Sequence, residues 1–563
     1  VDGTGATAFA GDVAIAAGRI AELGRVSGRA RETIDADGRL VTPGFVDVHS
    51  HYDGQATWDD TLAPSFAHGV TTVVMGNCGV GFAPVQPGEP QRRQLIELME
   101  GVEDIPGTAL WEGLDWSWES FPEYLDALER RQFTMDLGTQ VPHGAIRAYV
   151  MGERGARNEP ATPEDIARMA QIVKEGVAAG ALGFSTSRTL AHTAINGEPV
   201  PGTFAAEDEL FGIGRVLGEL GAGIFEVAGA GAAGEDVNAP KAELEWMRKL
   251  SREIGRPVSF AMLQVDAAPN LWRELLDLSA EAAREGARIF PQVAGRPFGM
   301  LVGHQTDIHP FAQCPSYAAL LERPFAERIA ALCQAEVREA ILAEAAKEPG
   351  VFLTQLRRFF PMGDPPNYEP GYEDSIEAIA KDAGVDPVAC LYDRMLEREG
   401  CELFLVPVLN YSELNADPIR EMMHHPNAVL GLGDGGAHCG IICDASIQTF
   451  MLTHWVRDRT RGERIPVEFA IRRMTSDTAK LYGLGDRGLL RPGLRADVNV
   501  IDLDALRLEP PTMIHDLPAG GKRFMQRARG YRATIVGGEI TLENDELTGA
   551  LPGRLIRGEQ GEA

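Results

Sequence analysis

Apolar and polar residues alternate with the period of β-strands at both ends of the chain. The opening segment "GDVAIAAGRIAELG" carries apolar positions such as Val13 and Ile20 on either side of "AAGR", which predicts a β-hairpin. Similar strands with Gly-rich turns return in "GLLRPGLRADVNVID" and "GYRATIVGGEITLE". We therefore expect residues 1–43 and 485–548 to form one small β domain, followed by a C-terminal tail at 549–563.

The middle of the chain has a different rhythm, in which apolar strand-like runs are separated by amphipathic helical patterns. The runs are "VTTVVMG", "ALGFSTS", "GAGIFEV", "RPVSFAML", "CELFLVPVL" and "NAVLGLGD". Helices are predicted in "PEDIARMAQIVKEGVAAG" and "APKAELEWMRKLSREIG". Alternating strands and helices are typical of a parallel sheet, so the pattern favours an α/β fold, an eight-stranded (β/α)8 TIM-type barrel over residues 44–484.

The first candidate chemistry lies in "PGFVDVHSHYDGQ", where His49 and His51 end an apolar run. Residues two apart on a strand leave the same face, with about 7 Å between them along the backbone. Two imidazole nitrogens can then reach one metal ion. In a (β/α)8 barrel the active site forms at the carboxyl ends of the strands, where these histidines are expected.

Charge and composition exclude several other classes of function. The formal net charge is −29, which disfavours nucleic acid and anionic membranes as partners because both require a basic surface. No run approaches the roughly 20 apolar residues of a membrane span. The seven cysteines are an odd number spread along the chain, and the first residues carry no targeting pattern. These features favour a cytoplasmic enzyme with reduced thiols. Oligomeric state stays open, although large barrels commonly form homo-oligomers.

Several motifs resemble the amidohydrolase superfamily, in its N-acyl-D-amino-acid deacylase (D-aminoacylase) branch. They are "VTPGFVDVHSHYDGQ", "FAHGVTTVVMGNCGVGFAPV", "VPHGAIRAYVMG", "GALGFSTS" followed by "PGTFA", "NAVLGLGDGGAH" and "MTSDTAKLYGLGDRGLLRPGLRADVNVID". They follow the family's order over nearly the whole chain. The resemblance implies a metal-bearing barrel and a β-sandwich built from both termini.

The resemblance implies roles for four residues of this sequence. The strand 1 histidines that bind metal in the family match His49 and His51, and the cysteine of the strand 2 "NCG" motif matches Cys78. The strand 8 aspartate, which orients or deprotonates the attacking water, matches Asp434 in "LGDGG". A lone strand cysteine is also commonly a small buried hydrophobe, so both interpretations of Cys78 stay open.

Other family positions are changed. The strand 5 and strand 6 histidines expected from the resemblance are replaced by Ala228 and Met262. The arginine and lysine that help hold the substrate carboxylate in the family become Ala230 and Gln264. Strand 4, "GALGFSTSR", offers no lysine that could bridge two metals when carboxylated. One zinc ion per chain is therefore expected, and a free N-acyl-D-amino acid is in doubt as the substrate.

Further candidates come from their positions near strand ends. Glu226 lies two residues before Ala228, on the same strand face, and is a candidate oxygen ligand. The candidate substrate-binding residues are His143, Arg188, Gln264 and His438. Arg188 suits an anionic group because its planar fork matches a carboxylate, and His438 is a candidate proton donor. "HQTDIHP" belongs to a long insertion that could form a lid.

The favoured hypothesis is a mononuclear metal hydrolase acting on a small-molecule amide, either N-acyl amino acid-like or cyclic. The metal would lower the pKa of water and polarise the carbonyl, while Asp434 passes a proton to the leaving nitrogen. Two alternatives stay open. One is a lyase, decarboxylase or amide-forming enzyme of the same fold, and the other is a binding protein whose metal site has been lost.

Overall fold

The protein is described by a computed structural model that covers residues 1–558. Its strands, in chain order, are β1 (Asp12–Ala16), β2 (Arg19–Gly24), β3 (Leu40–Pro43), β4 (Phe45–Asp47), β5 (Val70–Met75), β6 (Asp136–Thr139), β7 (Val141–Pro142), β8 (Gly183–Ser187), β9 (Ile224–Ala228), β10 (Val258–Ala261), β11 (Ile289–Val293), β12 (Phe298–Val302), β13 (Phe360–Pro361), β14 (Phe404–Leu409), β15 (Val429–Leu430), β16 (Val498–Ile501), β17 (Arg507–Leu508), β18 (Thr512–Ile514), β19 (Arg523–Met525), β20 (Ala528–Arg529), β21 (Tyr531–Val536), β22 (Glu539–Glu543) and β23 (Glu546–Leu547).

The helices lie mainly between these strands. They are α1 (Ala63–Phe66), α2 (Glu89–Glu103), α3 (Gly107–Gly113), α4 (Phe121–Glu129), α5 (His143–Met151), α6 (Glu153–Ala156), α7 (Pro163–Ala178), α8 (Glu207–Leu220), α9 (Ala239–Ile254), α10 (Leu271–Arg284), α11 (Pro315–Ala318), α12 (Phe325–Leu332), α13 (Ala335–Lys347), α14 (Ile376–Ala383), α15 (Pro387–Met395), α16 (Glu397–Gly400), α17 (Asp417–His424), α18 (Ile447–Phe450), α19 (Val467–Met474) and α20 (Ser476–Leu481). A π-helix, Met451–Asp458, continues α18.

The two helices predicted from amphipathic patterns are both present. Helix α7 begins with a capping box, in which the Thr162 hydroxyl accepts the Asp165 N–H and the Asp165 carboxylate accepts the Thr162 N–H. Helix α9 ends before Gly255, whose φ of +68° suits a residue without a Cβ. Local capping and the apolar stripe therefore agree on where these helices lie.

The central strands are parallel and follow one another in chain order. Strands β4, β5 and β6 form one parallel group, and β7, β8, β9, β10, β11 and β15 form another. Only Gln140 separates β6 from β7. A parallel bridge between Ser50 and Gly435 joins the chain just after β4 to the chain just after β15. The carboxyl ends of the first and last strands therefore meet.

One predicted strand belongs to a different sheet. The run "CELFLVPVL" forms β14, which pairs antiparallel with β12 and β13 and lies outside the parallel strands. Its place in the parallel series is taken by β11, a segment that is not among the strand-like runs predicted from the sequence. Both segments are short, apolar and largely buried, and a short apolar run does not reveal which sheet will bury it.

Residues 303–403, between β12 and β14, form a helical insertion with a hydrophobic core of its own. Buried side chains such as Phe311, Ile341, Leu391 and Tyr392 pack together there, apart from the main core around the parallel strands. The "HQTDIHP" segment lies at the start of this insertion. It contacts the loop after β15, because the Asp307 N–H donates to the Gly440 carbonyl at 3.4 Å.

The chain ends pair as the alternating patterns predict. Strands β1 and β2 form the expected hairpin, and β3 pairs antiparallel with β16 in the sheet β23-β22-β21-β16-β3. The described part of the predicted tail reaches back to the parallel strands, since the Ile556 N–H donates to the Leu137 carbonyl at 2.7 Å. Residues 559–563 of that tail lie outside the described residues.

Among residues 1–558, the structure contains no helix that combines the length and the apolar character needed to cross a bilayer.

Candidate active site

His49 and His51 lie just after β4 with their side chains on the same side, as the spacing predicts. Their ring centroids are 5.3 Å apart, and both rings are almost completely buried. The two Nε2 atoms converge on one carboxylate oxygen, Asp434 Oδ1, at 3.5 Å from His49 and 3.7 Å from His51. Two nitrogens and one oxygen from opposite ends of the parallel series therefore face a common point.

Cys78 adds a sulfur atom to this group. Its Sγ lies 3.4 Å from His49 Nε2, and ligand atoms of His49, His51 and Cys78 all lie within 4.8 Å of one another. The Cys78 backbone has a φ of +55°, and its N–H donates to Glu226 Oε2 at 3.0 Å. A non-glycine residue in the left-handed region is strained, which is common where a side chain must be aimed at a functional site.

Asp434 follows β15 and is fixed by backbone contacts to the first strand. Its N–H donates to the His49 carbonyl at 3.0 Å, and the His51 N–H donates to the Gly435 carbonyl at 2.8 Å. Burial alone would raise the pKa of Asp434, but contacts with His51 and His49 lower it below its usual range. Asp434 is therefore an ionised carboxylate held between two imidazoles.

Each histidine has a second partner at its other ring nitrogen. His49 Nδ1 donates to the Gln292 side-chain oxygen, on β11, at 2.9 Å. His51 Nδ1 lies 3.2 Å from Glu103 Oε1, at the end of α2, in an ion pair whose orientation is not that of a hydrogen bond. Burial lowers the pKa of His49 to about 4, whereas Glu103 and Asp434 overcome burial and raise the pKa of His51 to about 9.

Buried acids surround the histidines. Burial raises the pKa of Glu226 to about 8 and the pKa of Asp53 to about 7, in spite of the nearby charge of His51. Glu226 Oε1 is buried and has no hydrogen-bond partner among the described residues. A buried polar atom without a partner is costly, so a cation beside these acids would be stabilising.

The donor set fits a divalent metal ion. Imidazole nitrogen, cysteine thiolate and carboxylate oxygen are the ligands that zinc takes in proteins, usually four at a time. His49, His51, Cys78 and Asp434 offer such a set, with Glu226 adjacent to the cysteine. Ala228 and Met262, which stand where the resemblance expects two more histidines, are buried and apolar. They contribute no ligand atom of that kind.

Of the predicted substrate-binding residues, His438 is the one that lies against this cluster in the described part of the chain. Its Nε2 lies 4.0 Å from Glu103 Oε2, and its side chain is 25% exposed. Its backbone φ is +54°. His438 is therefore placed at the mouth of the site, between the buried cluster and solvent.

The other three have protein partners instead. His143 is fully buried, with one ring nitrogen 2.8 Å from the Thr186 hydroxyl and the other 2.9 Å from Glu209 Oε1. These contacts use both ring nitrogens and favour a structural role. Arg188 donates from Nε to both carboxylate oxygens of Glu243, at 3.0 and 2.9 Å. The fork that was expected to face a substrate is thus largely neutralised within the protein.

Gln264 also points into the protein. Its Nε2 donates to Glu413 Oε2 at 2.7 Å and to the Pro269 carbonyl at 3.1 Å, while its Oε1 accepts the Ser412 N–H at 3.2 Å. The amide therefore connects the end of β10 to the chain after β14. A substrate contact by Gln264 would require at least one of these bonds to break.

Four residues at the site were not predicted from the sequence: Asp53, Glu103, Gln292 and His192. Glu103 belongs to a long connection between β5 and β6, and Gln292 to the strand that was not recognised. His192 holds Nδ1 3.0 Å from the Ser187 hydroxyl. Burial, together with the charges of His51 and His438, lowers its pKa to about 4. Only the position of Gln292 at the end of an apolar run gave a usable signal.

The fold and the site together define a class of protein. It is an α/β protein with two histidines, a cysteine and an aspartate at the carboxyl ends of its parallel strands, and this donor set fits a metal ion. A family model described as "Amidohydrolase family" matches residues 32–542, and the chain belongs to that family. The resemblance seen in the sequence motifs is thereby confirmed.

Individual relatives agree with this assignment. D-aminoacylase from Alcaligenes xylosoxydans xylosoxydans is 26% identical over 572 residues, covering 99% of this chain and 95% of that protein. N-acyl-D-glutamate deacylase from the same organism is 27% identical over 510 residues, covering 90% and 86%. The crystal structure of N-acyl-D-glutamate deacylase from Bordetella bronchiseptica, complexed with zinc and a phosphonate inhibitor, superposes with a TM-score of 0.64 at 22% identity, covering 99% of this chain and 97% of that one. This last likeness establishes the fold.

Proposed function

We propose that this protein is a metal-dependent amidohydrolase that cleaves a carbon–nitrogen amide bond in a small molecule, either N-acyl amino acid-like or a cyclic amide. The observation that carries the proposal is the convergence of His49 Nε2, His51 Nε2, Cys78 Sγ and Asp434 Oδ1. The activities of the named relatives, which include deacylation of N-acyl-D-glutamate, support the same class of bond.

The architecture supports this proposal. We infer that the eight parallel positions, with β6 and β7 counted as one, close into a (β/α)8 barrel through the bridge between Ser50 and Gly435. The barrel would span residues 44–484, and the antiparallel pairing of β3 with β16 supports a small β-sandwich domain from residues 1–43 and 485–548. The candidate ligands then lie at the barrel's carboxyl end, where this fold places active sites.

The proposed ligands are His49, His51, Cys78 and Asp434, with Glu226 as an additional oxygen donor. When bound to them, a zinc ion would lower the pKa of water and polarise the substrate carbonyl. We propose one such ion per chain, because Ala228 and Met262 stand where the family resemblance expects two further histidine ligands. The absence of these two histidines thus affects the expected number of metal ions, and the proposed class of reaction stays the same.

Asp434 has the contacts required of the general base. It is ionised, it lies between the two ligand nitrogens, and its backbone is fixed to the first strand. In this position it accepts the proton of the attacking water and passes it to the leaving nitrogen. His438, at the open side of the cluster, is the proposed second proton donor. For His143, Arg188 and Gln264 a substrate contact remains a prediction.

Metal content and turnover together test the proposal. We expect about one zinc per chain by mass spectrometry of protein purified without chelator, and its loss in a His49→Ala/His51→Ala double variant. Cys78→Ala should weaken zinc retention, and cobalt-substituted wild type should show thiolate charge-transfer absorption that this variant lacks.

Turnover is assayed on a panel of N-acyl amino acids, lactams and cyclic imides, with and without chelator. Release of amine, or ring opening that depends on metal, supports hydrolysis. Metal binding without hydrolysis of any panel member, accompanied by decarboxylation or elimination products, would favour a lyase instead. Protein without metal in any preparation would overturn the assignment of the site.

A further inference from the structure

The carboxylate of Glu103 comes from an element that has no place in the barrel itself. It lies at the last residue of α2, in the connection between β5 and β6, and its side chain is only 3% exposed. Its Oε1 is 3.2 Å from His51 Nδ1, and its Oε2 is 4.0 Å from His438 Nε2. One buried carboxylate therefore lies between a proposed metal ligand and the histidine at the mouth of the site.

The backbone around Glu103 fixes the loop after β15 in the same place. The Glu103 carbonyl accepts the His438 N–H, and the Asp104 carbonyl accepts the Cys439 N–H at 3.1 Å. The Asp104 carboxylate accepts the Gly440 N–H at 2.8 Å. Three successive residues of the loop that carries Asp434 are thus bound to the end of α2.

The direction of the His51 ring explains why Glu103 is not itself a ligand of the same metal ion. His51 Nε2 faces Asp434 and the cluster, so its Nδ1, which contacts Glu103, faces away. The contact between His51 Nδ1 and Glu103 Oε1 is an ion pair without hydrogen-bond geometry. A carboxylate beside the far nitrogen of a metal-binding histidine favours the proton on that nitrogen through its charge and makes the other nitrogen a better ligand. His49 has only a neutral amide, Gln292, at its far nitrogen.

We propose that Glu103 is a positioning residue of the site, which orients His51 for metal binding and connects it to the loop carrying Asp434 and His438. This inference rests on the proposed function, because it assumes that His51 is a metal ligand. It assigns a role to α2, an element to which the sequence motifs give none.

The test compares Glu103→Gln with Glu97→Gln, a change of the same kind six residues earlier on the same helix, at a side chain without a hydrogen bond or ion pair among residues 1–558. The glutamine keeps the size of the side chain but removes its charge. We expect the zinc dissociation constant, measured by competition with a chromogenic chelator, to rise about 10- to 100-fold in Glu103→Gln and to stay within about twofold in Glu97→Gln. The d–d spectrum of the cobalt-substituted Glu103→Gln protein should shift as well.

The possible failures are distinguishable. Wild-type protein that binds no zinc would overturn the proposed function, whereas equal zinc affinity in wild type and Glu103→Gln would overturn only the role of Glu103. Circular dichroism of the metal-free variants checks folding. If Glu103→Gln does not fold, Glu103→Asp, which keeps the charge on a shorter side chain, replaces it. In that case weaker zinc binding with native circular dichroism supports the proposal, and unchanged binding contradicts it.

Discussion

Gln292 Oε1 lies 2.9 Å from His49 Nδ1, so a residue of β11 fixes the ring of a histidine that follows β4. An amide oxygen only accepts hydrogen bonds, and the proton is therefore on Nδ1. His49 Nε2 is left with a free lone pair, directed toward Asp434 and Cys78. The two strands are distant in the sequence but come together through the order of the parallel series.

Gln292→Ala should therefore weaken metal binding, because His49 would lose the partner that fixes its ring and tautomer. We expect the zinc dissociation constant to rise about tenfold or more. Gln264→Ala is the matched control, since Gln264 is also a buried glutamine after a parallel strand but contacts Glu413 and Ser412 instead of a histidine. Chelator competition on both variants provides the measurement, and equal affinities in the two would contradict this role of Gln292.

Asp434→Asn separates proton transfer from metal binding. The amide keeps an oxygen that faces His49 and His51 but is no longer a base at neutral pH. We expect kcat to fall by about two to four orders of magnitude in samples loaded to full zinc content, which the amide oxygen and the other three ligands retain. Steady-state kinetics on the best panel substrate, with metal analysis of the same sample, measures both. Activity near wild type with full metal content would show that another group accepts the proton.

The sequence was informative where local patterns decide the structure. The spacing of His49 and His51, the helix that begins at Pro163 and the hairpin around Gly18 all depend on neighbours in the chain, and the structure contains each of them. The assignment of "CELFLVPVL" to the parallel strands was wrong. Its partners, β12 and β13, lie far away in the chain, and an apolar run does not identify them.

The residues of the site also divide into those that a local motif reveals and those that only tertiary packing brings to the site. His49, His51, Cys78 and Asp434 stand in recognisable motifs, and the structure brings them together. Glu103 stands in a helix that carries many acidic residues, and only tertiary packing distinguishes it from Glu97 or Glu100. Arg188 was a candidate substrate-binding residue from the sequence, but the structure pairs it with Glu243. The sequence does not reveal that pairing.

A buried ionic network away from the site makes stability depend on acid. Glu369 accepts hydrogen bonds from His454 at 2.8 Å, from Arg459 at 3.0 Å and from the Ala416 N–H at 2.8 Å. Burial alone would raise the pKa of Glu369, but these partners lower it to about 2. Because the folded pKa lies below the unfolded value, the stabilisation is complete above about pH 5 and is lost as the pH falls toward 2.

Glu369→Gln should accordingly reduce the free energy of unfolding at pH 7 by about 3 kcal/mol, since it leaves Arg459 buried without its main partner. The difference from wild type should shrink as the pH is lowered from about 5 toward 2. Asp393→Asn is the control, because its pair with Arg338 is exposed and is expected to contribute at most about 1 kcal/mol. Urea unfolding between pH 3 and pH 7 tests this, and a difference that grows in acid would contradict it.

Because the insertion has a separate core, a cavity in that core should promote local unfolding of the insertion. Leu391 of α15 is fully buried among the apolar side chains of residues 303–403, and Leu250 of α9 is fully buried in the main core. Either leucine-to-alanine change should cost about 2–5 kcal/mol through lost burial and the cavity left behind. Since local opening follows the packing units of a structure, Leu391→Ala should increase proteolysis within the insertion, whereas Leu250→Ala should not do so selectively. Limited proteolysis with mass mapping of the cleavage sites distinguishes the two. Identical cleavage patterns would mean that the insertion and the parallel strands open as one cooperative unit in spite of their separate cores.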